Sequence, residues 1–506
     1  MDLAHWIERH AAFNPDKPAI VFAGNEISYA ALAADVRLAI RRLATLGVGA
    51  GEVVAYLGFN HPANLILLFA CARIGAILLP LNWRLAAPEH ARVLADAAVR
   101  AIIVEASFVA HAESLRASWP DALWLALESA VPGWPSWQDV EVAAAPGGRR
   151  DEDAKSEPLL LCYTSGSTGA PKGVVLTQEA LLCNALNSTH MHDLTSNDRI
   201  LTTLPLYHVG GLNILTLPAL HAGATVELHP KFDPKETFDA IEGRRITLTV
   251  LVPAQLTLMM EHPRWPQADL SSLRVISTGS TIVSSSFVRR VNARGPLLIQ
   301  VYGSTETSPI ATYLRARDAD RKAGSAGLPA LHCEVRVVDA NGCELPPGSN
   351  GEILVRGANV MRDYWNRPEQ TAQALEGGWY HSSDIGHFDA EGYLYVVARK
   401  NDMIISGGEN IYPAEIEAVL EECPAIAEVS VVGRPDERWG EMVVAAVALK
   451  PGAVMSEAEV LALLAGRIAR YKQPREVRFV TALPRSAIGK VKKQELRASL
   501  VSSATA

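Results

Sequence analysis

The chain predicts an α/β fold of more than one domain, on three observations. Its 506 residues exceed what a single hydrophobic core organises. Short apolar runs alternate with helical patterns through most of the N-terminal part, the rhythm of β-α-β units with largely parallel sheets. From Ala330 the pattern turns to strands with Gly and Pro at the bends, and after Asp402 it becomes mixed again, as in a small α+β domain.

Taken in order, a strand at 53–57, a helix at 64–74, a strand at 77–81, a helix at 89–97 and a strand at 101–104 make the first cycle. Residues 63–81 are strongly apolar, but Arg73, Gly75 and Pro80 interrupt them, so a buried helix and strand are expected rather than a membrane span. Residues 142–157 shift to Ala, Pro, Gly and charge and read as an exposed connection. A second cycle places strands near 199–204, 225–228, 248–252, 274–277 and 298–301. The β-rich part holds strands at 332–338, 351–356 and 392–398 with an Asn341-Gly342 turn. The last part reads as a helix at 413–421, strands at 427–433 and 443–449, and an amphipathic helix at 457–470. The boundary falls at the polar bridge Arg399-Lys400-Asn401-Asp402, dividing the chain into 1–398, 399–402 and 403–506.

Composition narrows the function. Hydrophobic residues at 49% and charged ones at 20% fit a soluble enzyme, and a net charge of −8 argues against a general nucleic-acid binder. Any anion site is therefore local. One local excess lies between Arg467 and Arg497, where ten basic residues face only Glu476 and Glu495. The six cysteines form no C-x-x-C pair and read as reduced thiols, without a zinc site or a disulfide frame. Residues 1–8 are charged too early for a secretory signal and the C-terminal Ala-Thr-Ala is no peroxisomal address, so a cytoplasmic location is expected.

The most informative segment is Tyr163-Thr164-Ser165-Gly166-Ser167-Thr168-Gly169-Ala170-Pro171-Lys172-Gly173, which follows the apolar run 158–162. Glycines let main-chain N–H groups approach anionic oxygens, the hydroxyls add donors, and Lys172 adds a compact positive charge. The loop is suited to phosphate. It is not a Walker loop, because Lys172 stands between Pro171 and Gly173 rather than in Gly-Lys-Ser/Thr.

Five further clusters accompany it. Leu204-Pro205-Leu206-Tyr207-His208-Val209-Gly210-Gly211 puts a histidine and two glycines after a strand, and Gln300-Val301-Tyr302-Gly303-Ser304-Thr305-Glu306 ends another with hydroxyls and a carboxylate suited to a phosphate and its magnesium ion. Trp379-Tyr380-His381-Ser382-Ser383-Asp384 offers an acid for a ribose diol. Arg399 to Asp402 leads into a Gly407-Gly408 turn, and Pro484-Arg485-Ser486-Ala487-Ile488-Gly489-Lys490 carries one lysine on a loop near the C-terminus.

Together, in this order from about residue 15 to 500, the clusters resemble the adenylate-forming superfamily of acyl-CoA synthetases, luciferases and peptide-synthetase adenylation domains. The resemblance implies a large N-terminal domain of two doubly wound βα subdomains plus a β-barrel, and a small mobile α+β C-terminal domain. It also implies the chemistry: a carboxylic acid and Mg-ATP give acyl-AMP and pyrophosphate, and CoA then displaces AMP. The nearest likeness, carried by residues 55–62 and 80–85, is to bacterial ligases for feruloyl-type or medium- to long-chain fatty acids.

Carried onto this chain, the resemblance assigns the β- and γ-phosphates to Thr164, Ser165, Gly166, Ser167, Thr168, Gly169 and Lys172. Tyr302 and Gly303 stand by the adenine with Gly279 and Ser280 at its edge, Thr305 at the α-phosphate, Glu306 and Thr168 at Mg2+, and Asp384 and Arg399 at the ribose. His208 gates the carboxylate, and the acyl pocket is His208, Gly211, Thr281, Val301, Pro309 and Leu328. Rotation about Asn401 is expected to bring Gly407 and Gly408 to the site, with Trp439, Tyr471, Lys472 and Arg475 meeting CoA. Lys490, His208 and Lys172 are the expected catalytic residues. Lys490 has a physical rationale of its own, since a carboxylate approaching a polyanion needs a cation between them.

Three departures stand out. The usual Thr-Gly-Asp is Ser382-Ser383-Asp384, the hinge residue is the uncharged Asn401, and the usual Gly-Gly-Ala-Pro is Gly279-Ser280-Thr281-Ile282. Two alternatives compete with an acid–CoA ligase: an adenylation enzyme that loads a carrier protein, and a binder that kept the fold without the chemistry. Retention of Lys172, Glu306, Asp384, Arg399 and Lys490 opposes the second. Small-molecule acid, ATP and CoA are the expected partners, and self-association as a homodimer is left open.

Overall fold

The computed structural model describes residues 2–128, 131–142, 155–165, 171–280, 283, 285–399, 404–411, 413–484, 491 and 493–502. Most of the connection at 142–157 lies outside them.

Two sheets carry the N-terminal part. In the first, Leu123–Ala126, Ala101–Val104, Val53–Leu57, Ile77–Pro80 and Pro158–Ser165 run parallel, and the hairpin partner Pro171–Thr177 and the short Asp363–Tyr364 close one edge antiparallel. The nine-stranded second sheet has a parallel centre, Leu297–Tyr302, Val275–Thr278, Leu248–Val250, Arg199–Thr202, Thr225–Leu228 and Pro18–Phe22, with antiparallel strands at both ends. Strands buried on both faces need continuous apolar runs, which is why these segments read as short blocks of Val, Ile and Leu.

The helix Pro62–Ile74 is buried on nearly every side and packs with the helices Tyr29–Thr45 and Ala4–Phe13. Its near-uniform hydrophobicity therefore marks a core helix, as the sequence predicts. His61 caps it, accepting from the Ala63 N–H at 3.0 Å through Nδ1. No helix among the described residues is long and apolar enough to cross a membrane.

The β-rich portion expected as a barrel is a four-stranded antiparallel sheet, Cys333–Val338, Gly351–Gly357, Tyr380–Phe388 and Leu394–Arg399, bridged to the second sheet at Gly327 and Leu394. Its strand Tyr380–Phe388 holds the Ser382-Ser383-Asp384 motif, a stretch whose polar residues hide its strand character in the sequence. The C-terminal part has a five-stranded sheet built on the long hairpin Ile426–Asp436 and Gly440–Leu449. Its apolar clusters, around Ile404, Val431, Val447 and Leu464, and around Val432, Val444 and Leu496, draw on no buried residue before Ile404. The helix expected over 457–470 is regular only at Glu457–Ala462, and Gly466 at φ +69° takes the chain out of helical geometry.

Burial keeps several histidines neutral and gives the fold a pH dependence. Burial lowers the imidazole pKa to about 4 at His61 and His192 and to about 3 at His90. In the unfolded chain each titrates near 6.5, so below that value the unfolded state binds more protons. Their contribution is complete above about pH 6.5 and is lost as the pH falls towards 4, at about 1.4 kcal/mol per pH unit for each histidine. The melting temperature is expected to drop between pH 7 and pH 5, and His192→Asn to flatten that slope; calorimetry at several pH values checks both.

Candidate functional site

A cavity of about 1190 Å3 lies between the strand ends of the N-terminal part and the C-terminal part. Thr164, Lys172, Gly279, Ser280, Tyr302 and Gly303 line it. So do Thr305, Glu306 and Asp384, and, at the acyl end, His208, Val301 and Pro309. From the C-terminal part come Gly407, Gly408 and Trp439.

One end of the cavity is built on a hairpin. Thr164 in Pro158–Ser165 stands directly opposite Lys172 in Pro171–Thr177. The tip between them, Gly166, Ser167, Thr168 and Gly169, lies outside the described residues, as do Thr281, Asn401 and Lys490 and the side chains of Ser165 and Arg399. The Lys172 ammonium sits 5.1 Å from the centre of the Tyr364 ring. Burial lowers its pKa, and the nearby Glu306 carboxylate works against that shift. Glu306, 9% exposed, accepts a hydrogen bond from Tyr364 Oη at 2.8 Å. A carboxylate oriented in this way near the Lys172 ammonium fits the way magnesium is held, through one or two acids and the substrate's own phosphates.

Further along the cavity two sheets are joined. Tyr302, ending the strand Leu297–Tyr302, donates its hydroxyl to Asp384 Oδ2 at 2.9 Å. Asp384 is 3% exposed, and strand register sets Arg399 opposite it. The two Gly-to-Ser departures keep the backbone that glycine favours: Ser280 has φ +70° and Ser383 φ +58°. Holding a side chain there costs about 1–2 kcal/mol at each position, strain that folded proteins tend to concentrate at working sites.

At the acyl end, His208 Nδ1 accepts from the Gly210 N–H at 3.0 Å. Nδ1 therefore has no proton in this geometry, and the neutral ring carries its proton on Nε2. Burial lowers the His208 pKa, which favours that neutral form. Beyond it the chain runs as a π-helical turn, Leu212–Thr216, before the helix Leu217–Ala222. Pro218 follows closely and has no N–H to offer the turn before it. Asn184 Nδ2 at 2.6 Å and Ser188 Oγ at 2.5 Å donate to the carbonyls of Asn213 and Ile214. The wider turn sets Ile214 in the cavity wall.

Two expected pocket residues lie elsewhere. Gly211 packs against the 204–205 backbone, where a Cβ would collide with the Pro205 carbonyl, and Leu328 pairs with Tyr313 in the sheet. Neither lines the cavity.

On the C-terminal side, the Gly407 N–H donates to the Trp439 carbonyl at 2.8 Å, and the Arg475 guanidinium lies 3.9 Å from the Trp439 ring centre. Tyr471 and Lys472 line a second cavity between the two parts. The Lys472 ammonium, assigned to CoA by resemblance, is instead buried between Glu89 and Glu415, because two carboxylates desolvated beside it demand a counter-charge. Arg84, Tyr207 and Glu409 also gather here, with Arg84 against Glu409 and Arg84 Nη1 donating to Tyr207 Oη at 3.1 Å. Their traces in the sequence are that Arg84 lies in the 80–85 stretch, Tyr207 precedes His208 in its cluster and Glu409 follows the glycine pair.

Comparison with known proteins identifies the family. The family model described as "AMP-binding enzyme" matches residues 7–365, and "AMP-binding enzyme C-terminal domain" matches 415–490. An indoleacetate–CoA ligase of Aromatoleum aromaticum is 55% identical, and a feruloyl-CoA synthase of an Amycolatopsis species 42%, each over 98% of both chains. Among solved structures, the amide bond synthetase McbA from Marinactinospora thermotolerans superposes with a TM-score of 0.90 at 32% identity, covering 99% of each chain. The likeness to these relatives runs over almost the whole chain, and the chain belongs to the AMP-binding enzyme family as an acid–CoA ligase.

Proposed function

We propose that the chain activates an aromatic carboxylic acid of the arylacetate or hydroxycinnamate kind as its acyl-AMP and transfers the acyl group to CoA. The observation that carries this reading is the wall beyond His208, where Val209, Ile214, Val250, Val301 and Pro309 offer a flat acid an apolar surface. The likeness to ligases named for indoleacetate and ferulate points the same way.

In the first step a carboxylate oxygen of the acid attacks the α-phosphorus of ATP and pyrophosphate leaves. Thr164 and Lys172 hold the outer phosphates, Thr305 meets the α-phosphate, and Asp384, with Arg399 opposite it, takes the ribose hydroxyls. Glu306 would hold Mg2+, which when bound neutralises charge on the phosphate oxygens. His208, neutral with its proton on Nε2, donates to the acid and orients it for in-line attack. In the second step the CoA sulfur attacks the acyl carbon and AMP departs, the thiol arriving past Gly407 and Gly408. The division at 399–402 lets the part after residue 403 serve the two steps in two orientations.

AMP and pyrophosphate release, measured with and without CoA, tests the substrate class. Indole-3-acetate, ferulate, decanoate, malonate and an amino acid form the panel. The aryl acids are expected to give CoA-dependent AMP at the highest kcat/KM. Faster turnover of decanoate or of the amino acid than of either aryl acid would overturn the assignment, and AMP formation that responds to a carrier protein or an amine but not to CoA would replace the acceptor.

A further inference from the structure

The short segment from Asn82 to Glu89 makes three polar connections to the C-terminal part. Asn82 Nδ2 donates to Tyr471 Oη at 3.1 Å, and Arg84 meets Glu409. Glu89 makes the third and deepest. Its Oε1 lies 3.1 Å from Lys472 Nζ, and its Oε2 accepts from the Ala469 N–H at 2.8 Å while also accepting from its own Ala86 N–H at 2.9 Å. Lys472 Nζ lies 2.6 Å from Glu415 Oε2, within the C-terminal part itself. Lys472, Glu89 and Glu415 are 5%, 8% and 9% exposed.

Glu89, Glu415 and Lys472 do not line the large cavity, so they touch none of the reacting atoms. What they hold is an orientation, the one in which Gly407 and Gly408 face the site. The choice of charge matters. Burying an ion pair returns roughly what its desolvation costs, whereas losing one partner leaves an unpaired buried charge. When the two parts separate, water solvates both ions. An apolar contact of equal area would be exposed and would oppose the separation. A buried ion pair can thus specify one docked geometry and still release.

We propose that Glu89 and Lys472 form a latch that positions the C-terminal part for thioester formation and must open for adenylation. This rests on the two-step reading above. Both residues are then positioning residues for the second step alone. Lys472 acts through Glu89, and its charge is spent on the docking contact rather than on CoA.

Two half-reactions of the full-length enzyme test the latch: pyrophosphate release from acid and ATP without CoA, and thioester formation from supplied acyl-AMP and CoA. Glu89→Gln and Lys472→Met are each expected to slow the second about tenfold or more while leaving the first unchanged or faster. The pair Glu89→Gln/Lys472→Met is expected to be no slower than the worse single variant, because one contact is lost once. Intact adenylation in the same preparation shows that each variant is folded. A Glu89→Gln enzyme with normal or faster thioester formation would overturn the proposal and return Lys472 to CoA, since removing an acid cannot weaken the binding of an anion. Additive losses, or equal losses in both half-reactions, would also overturn it. If the unmodified enzyme formed no acyl-AMP from any acid, the two-step reading would fail instead.

Discussion

Replacing Lys490 with alanine is expected to slow acyl-AMP formation about a thousandfold while leaving thioester formation from supplied acyl-AMP close to normal. The argument is electrostatic. The incoming carboxylate and the α-phosphate are both anionic, the phosphorus gains further negative charge as it becomes five-coordinate, and a preorganised ammonium offsets both without solvent reorganisation. When a sulfur attacks the acyl carbon, the charge develops on the carbonyl oxygen rather than on phosphorus, and no second anion has to be brought against a polyphosphate. In the chain Lys490 falls between Leu483 and the helix Lys493–Ser502, whose Leu496 and Leu500 pack with Leu483 on one C-terminal apolar cluster. Lysine and glycine turn are therefore carried by one body and would take the cavity in turn. Pyrophosphate exchange and a separate thioester assay with synthetic acyl-AMP check the result, and equal loss of both would remove the lysine's assigned role.

What the sequence disclosed and what it concealed divide along a physical line. The groups expected to meet phosphate or ribose stand in short stretches where chemistry demands particular residue types in local order, and Thr164, Lys172, Tyr302, Glu306 and Asp384 are legible there and line one cavity. The acyl wall has no such local code. Gly211 and Leu328 have the right character but are taken up in packing, whereas Ile214 reaches the cavity from a π turn that periodicity does not show. The interface was hidden for another reason: Glu89 and Lys472 are hundreds of positions apart, and alone Glu89 reads as an ordinary surface charge and Lys472 as a CoA contact. The strand Tyr380–Phe388 shows the converse, a regular element masked by the polar residues that its task requires. Ser280 and Ser383 were legible as departures, but only the backbone shows that serine there adopts the positive φ of the glycine it replaces.

Gly408→Leu is expected to do the opposite of Lys490→Ala, cutting thioester formation about a hundredfold and sparing adenylation. Two costs combine at this position. Gly408 has φ +82°, which a branched side chain adopts only with strain, and an added Cβ would come within 3.1 Å of Val252 Cγ2 and 3.2 Å of Cγ1. Val252 lies where the strand Leu248–Val250 leads into the helix Pro253–Glu261, so the obstruction falls between the glycine turn and the cavity wall rather than on an exposed rim. The two costs can be separated. Gly408→Ala carries the strain with only a marginal clash, so it is expected to lose about tenfold or less, and Val252→Ala beside it should recover the part due to contact but not the part due to φ. Adenylation needs the turn withdrawn from the cavity, so all of these variants should release pyrophosphate at the unmodified rate. Thioester formation that stayed normal in Gly408→Leu would mean that the thiol does not pass between Gly408 and Val252, and the route to the acyl carbon would have to be sought on another side of the cavity.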